Sequence, residues 1–81
     1  MQITVHFYSY FKELTGAEEV SETLADQATL GALHDQLLVR FPKLVAMKRS
    51  TLLAVGVDYE TRNHVLKDGD EVSLFPPVLG G

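Results

Sequence analysis

Near the start of the chain, in "QITVHFY", apolar Ile3, Val5 and Phe7 alternate with polar Gln2, Thr4 and His6. A period of two is the signature of a strand with one buried face. "SYFKELTG" follows, where Ser9 is placed to cap a short helical turn and Gly16 to close it in a left-handed conformation. "AEEVSETL" predicts a second strand with only Val20 and Leu24 turned inward, a polarity suited to a sheet edge. The strongest helical pattern is "TLGALHDQLLVRFP": Thr29 caps, Leu30, Leu33, Leu37, Leu38 and Phe41 share a face, and Pro42 stops the run. After a link around "KLVAMKRS", "TLLAVGV" predicts a third strand with Leu53, Val55 and Val57 on one face. "YETRNHVL" predicts a short fourth strand or an irregular arm, "KDGDEV" a tight reversal, and "EVSLF" the last strand.

The predicted order is strand, strand, helix, then three strands, without an internal repeat. One helix against a mixed sheet is an economical way to bury that much apolar surface. The predicted class is therefore α+β, a ubiquitin-like beta-grasp with a mixed sheet of four to five strands on one main helix. At 81 residues there is room for one small domain, expected over 1–75, with 76–81 as an extended tail.

Composition narrows the chemistry. The chain has no cysteine, which removes disulfides, thiolate metal sites and a thiol nucleophile together. A net charge of −4, with no basic cluster along the sequence, argues against nucleic acid and anionic lipid as partners. The start "MQITVHFYSYF" lacks the pattern of a secretory leader, and no apolar run is long enough to span a bilayer, so a cytoplasmic protein is expected. His6, His34 and His64 have no metal-ligand spacing, and are expected at the surface or partly packed. The acidic stretches fit no calcium loop, and no glycine-rich phosphate loop or activated serine is present.

What remains is "FPPVLGG". Pro76 and Pro77 hold the backbone extended and deny donors to further sheet pairing, so they launch Val78 and Leu79 away from the domain. Gly80 and Gly81 offer a backbone without Cβ atoms, able to enter a channel too narrow for side chains. The carboxylate of Gly81 is a poor acyl donor until activated, and activation needs an ATP-using partner because this chain has no nucleotide site.

"FPPVLGG" after "LKDGDEVSL", with "FYSYFKELTG" and "LLAVGV", resembles the MoaD-type sulfur carriers, the small subunits of molybdopterin synthase. The resemblance runs over essentially the whole chain. It implies that Gly81 is adenylated by an E1-like enzyme, converted to a thiocarboxylate, and inserted into the large subunit, where it gives sulfur to precursor Z. It further implies a heterotetramer of two small and two large subunits, an active site in the large subunit, no cofactor bound by this chain, and ATP used by the activating partner. Phe75 has the opposite strand parity from Val72 and Leu74 and is expected to be exposed just before the tail, and the resemblance places Phe7 and Tyr59 near it on one docking surface, although Phe7 also continues the core face of Ile3 and Val5. The chain departs from the family at Gly56, often Asn, at Leu79, often a small residue, and at Lys12, often Arg. A thiamin-type sulfur carrier and a ubiquitin-like protein modifier are the competing readings.

Overall fold

In the computed structural model, which describes residues 1–77, five strands form one mixed sheet with a single main helix on one face. The elements are β1 (Gln2–Phe7), α1 (Phe11–Thr15), β2 (Glu19–Thr23), α2 (Leu30–Arg40), a 3-10 segment (Pro42–Met47), β3 (Leu52–Val55), β4 (Asp58–Tyr59) and β5 (Glu71–Phe75). The strand order is β2-β1-β5-β3-β4, with β1 and β5 parallel and the other pairs antiparallel. β2 takes the edge, as its polar sequence predicts. The last strand in sequence lies in the middle of the sheet.

Alternation decides what each strand contributes. Ile3, Val5 and Phe7 of β1 face inward with Val72 and Leu74 of β5, all at 1% exposure or less, and Leu30, Leu33 and Leu37 of α2 close the layer. Burying each such side chain is worth roughly 1.5–3 kcal/mol. α2 begins where predicted: the Thr29 hydroxyl accepts a hydrogen bond from the Ala32 amide at 3.1 Å. It ends before Pro42, which cannot donate to the helix and pushes Phe41 to extended backbone at φ −124°, ψ 80°. Pro42 then opens the 3-10 segment, where its fixed φ suits the first position. Phe41 packs its ring edge-on against Phe7 with centroids 5.5 Å apart.

Three local expectations need correction. Ser9 does not cap α1: its φ is +57°, and Tyr10 precedes the helix with no side-chain cap. Gly16 does close it, at φ +73°. Val57 is not on a strand face, because β3 stops at Val55 and turns at Gly56, φ +61°, leaving Val57 96% exposed. Glu22 shares the inward parity of Val20 and Leu24 and is buried, held by an ion pair to Arg40 at 2.8 Å. The "YETRNHVL" region is short strand and arm together: two residues of β4, then a segment tied to α2 by an isolated bridge between Thr29 and Val65.

Candidate functional site: an aromatic platform at the root of the C-terminal tail

β5 alternates sharply between two faces. Val72 and Leu74 are in the core, so Phe75 points to the opposite side of the sheet. It is flanked there by residues from two other strands. Tyr8, one residue past the end of β1, lies nearly parallel to Phe75, with ring centroids 4.7 Å apart and planes at 13°. Tyr59, on β4, meets Phe75 edge-on at 6.2 Å and 67°. The register explains the grouping: Phe75 pairs with Leu52, and Tyr59 pairs with Ala54 two residues further along β3. Tyr8 is held in place by its amide, which donates to the Leu74 carbonyl at 3.3 Å. Two of the three rings stay open to solvent, Tyr8 at 41% and Tyr59 at 67%. Clustered, exposed aromatics of this kind have the composition of interface anchors.

Pro76 and Pro77 follow directly, half-buried and in no regular element. Val78, Leu79, Gly80 and Gly81, the tail positions expected from the sequence, lie outside the described residues. Of the surface residues expected from resemblance, the structure brings Phe75 and Tyr59 together. Phe7 is different: at 1% exposure it is a core residue, turned away from the platform because it shares the parity of Ile3 and Val5. Tyr8 occupies the place expected for it. That signal was available in the sequence, since Tyr8 has the outward parity of Thr4 and His6.

Each of the three histidines lies against another charged side chain. His6, on the same outer face, lies between two carboxylates, Glu71 at 2.9 Å and Glu19 at 3.6 Å. His64 pairs with Glu60 at 3.6 Å. His34 departs from the expected surface or partial packing: it is 2% exposed on α2, its Nδ1 within 2.9 Å of Arg62 Nη1. Burial, with the Arg62 charge second, lowers its pKa to about 4. Asp35 beside it is held below the usual carboxylate range, chiefly by its hydrogen bond from Arg62 at 2.8 Å. No group of three or more His, Asp or Glu side chains among the described residues is arranged to hold a metal ion. No helix among them is long and apolar enough to cross a membrane.

A mixed sheet of this order with one main helix defines a ubiquitin-like beta-grasp protein. The fold is shared with a ubiquitin of Caldiarchaeum subterraneum, at a TM-score of 0.68 and 18% identity over 100% of this chain and 98% of that one. The chain belongs to the ThiS family, whose model matches residues 5–81. It is 37% identical to the molybdopterin synthase sulfur carrier subunit of Escherichia coli, over 98% of this chain and 99% of that protein. It is 32% identical to the subunit of the same name from Chlamydomonas reinhardtii, over the full length of both. It is also 30% identical, over the full length of both, to small archaeal modifier protein 3 of Haloferax volcanii. Among solved structures it resembles a putative molybdopterin converting factor subunit 1 from Pyrococcus furiosus, with a TM-score of 0.89 and 27% identity over 96% of this chain and 99% of that one. A complex of subunits 1 and 2 of the molybdopterin-converting factor from Helicobacter pylori matches with a TM-score of 0.71 and 27% identity over the full length of both chains.

Proposed function

We propose that this chain is the sulfur-carrier small subunit of molybdopterin synthase. The carboxylate of Gly81 attacks the α-phosphate of ATP on an E1-like enzyme, giving an acyl-adenylate and releasing pyrophosphate. A sulfur nucleophile then displaces AMP, leaving a thiocarboxylate on Gly81. The loaded tail enters the large subunit and gives its sulfur to precursor Z, a step of molybdenum cofactor biosynthesis. The chain itself acts as a carried substrate: it binds no cofactor, and ATP belongs to the activating partner. A cytoplasmic setting and an assembly of two small and two large subunits go with this reading.

The observation that carries the proposal is the similarity to the sulfur carrier subunit of Escherichia coli over nearly the full length of both. The platform supports it physically. Tyr8, Phe75 and Tyr59 surround the point where the tail leaves the sheet, so a partner gripping these rings has the tail's root fixed against it. The paired subunits of Helicobacter pylori give a precedent for a large-subunit partner.

The test is intact mass. After incubation with ATP, the cognate E1-like enzyme and a sulfur source, one oxygen should be exchanged for one sulfur on Gly81. A chain extended beyond Gly81 should fold normally and carry no sulfur. Unchanged mass with the cognate enzyme present would overturn the reading. Gly81 found in an isopeptide bond to lysine would replace it with the modifier reading, which the similarity to the Haloferax volcanii modifier favours.

A further inference from the structure

Beside the platform, at the β4 edge of the sheet, lies an open cavity of about 410 Å³. His34 and Leu53 are among its buried walls, Tyr59 forms a side, and Lys48, Arg49 and Arg62 bring three of the chain's seven basic residues to it. Resting on the function proposed above, we infer that this cavity is a second anchoring point for the synthase large subunit, receiving an acidic side chain of that partner.

Continuity is the first argument. Tyr59 belongs to both the platform and the cavity, and Leu52, which also lines the cavity, pairs directly with Phe75. A partner covering the three rings therefore meets the cavity mouth.

Charge is the second. Asp35 is shared between Arg62 at 2.8 Å and Lys48 at 3.4 Å, and Glu60 is the one acidic residue lining the cavity. Arg49 is exposed and makes no ion pair among the described residues. Three cations against two carboxylates leave an excess of positive charge on a protein whose net charge is −4. An interface that buried Arg49 without an anion would carry the cost of an unpaired buried charge, so the partner that covers it must supply a carboxylate.

Size is the third. The volume is more than enough for one side chain, and the buried Leu53 and His34 walls suit the methylene stem of a glutamate.

The inference is tested by calorimetric titration of the purified large subunit with four full-length proteins: wild type, Arg49→Glu, Lys43→Glu and Phe75→Ala. Lys43 is an exposed cation away from the cavity, so its variant controls for overall charge. Arg49→Glu should weaken binding about tenfold or more and flatten its dependence on salt, with unchanged thermal unfolding, while Lys43→Glu binds like wild type. Equal affinity and equal salt dependence for Arg49→Glu and wild type would overturn the inference. If Phe75→Ala is weakened in that same experiment, the sulfur-carrier reading stands without it. Equal losses for Arg49→Glu and Lys43→Glu would also overturn it, reducing the effect to net charge. If wild type itself fails to bind the large subunit, the proposed function falls first and takes this inference with it.

Discussion

Leu74 and Phe75 are neighbours on one strand, yet they work in different regions of the molecule. Leu74 is 1% exposed and belongs to the buried apolar cluster with Phe7, Leu53 and the leucines of α2. Phe75 stands on the other face between two tyrosines whose rings remain open to solvent. The inner layer has one purpose, to hold the sheet to the helix. The outer layer has the same hydrophobic character and contributes far less to that purpose. Strand alternation thus lets a small domain keep an aromatic surface open to solvent within one residue of its core, without exposing the core itself.

The sharpest way to break this comparison is to truncate on both sides of it. Leu74→Ala should cost about 3–4 kcal/mol of folding stability, measured by urea unfolding, because it leaves a cavity in a layer that cannot collapse. A loss near 1 kcal/mol would mean that the two faces are not energetically distinct.

The second effect concerns the one histidine of the inner layer. His34 has its pKa lowered from its ordinary 6.5 to about 4, by burial first and by Arg62 second. As pH falls below 6.5, the unfolded chain takes up this proton while the folded protein does not, so stability declines across the window from pH 6.5 to about 4. The full loss is about 3 kcal/mol. Asp35 acts in the same direction at lower pH, because its depressed pKa favours the folded state above the ordinary carboxylate range and that advantage is lost on protonation. Thermal unfolding at stepped pH should show the decline in wild type, and His34→Leu should remove most of it. An identical slope in the variant would locate the titrating group elsewhere.

Phe75→Ala gives the complementary result. Binding to the large subunit should weaken by about 2 kcal/mol or more, as for a central aromatic anchor. Stability should fall less than for Leu74→Ala, by about 1–2 kcal/mol, since the half-buried ring packs on Tyr8 and Tyr59 outside the core. A large stability loss with unchanged affinity would assign Phe75 to the core.

The smallest change lies at the turn that ends β3, at the opposite end of that strand from Phe75. Gly56 turns the chain between β3 and β4 at φ +61°, with no atom near where a Cβ would stand. Gly56→Ala should cost about 1 kcal/mol through backbone strain alone, and Gly56→Asn less, because Asn tolerates the left-handed region. Melting temperatures of the two variants test the ranking. The asparagine often found there in the MoaD-type carriers fits the same turn.

Much of this fold is readable from periodicity. β1, α2 and β5 are long enough for alternation or the helical repeat to settle their inward faces, and the Thr29 cap and Pro42 stop mark the helix ends within a residue. The misreadings fall where short segments offer two interpretations. Val57 has the right parity for β3, but the left-handed Gly56 ends the strand first. Phe7 lies at the end of β1 beside Tyr8, and its shared parity with Val5 is what places it in the core. The cavity was illegible because its cations come from separate segments, at 48–49 and at 62, that are basic only when the fold brings them together.

The central place of β5 also governs how the molecule is made and how it bears load. β1 is synthesised first but finds its parallel neighbour only when residues 71–75 exist, so the sheet cannot be completed until nearly the whole described chain is available. Until then the inner faces of β1 and β3 have no strand between them. Once inserted, β5 is bonded along both sides, to β1 and to β3. A partner drawing on the segment beyond Phe75 therefore pulls along two hydrogen-bonded ladders in shear, which must slip together before the strand comes free. The segment beyond Phe75 thus continues a strand that is paired along both of its sides.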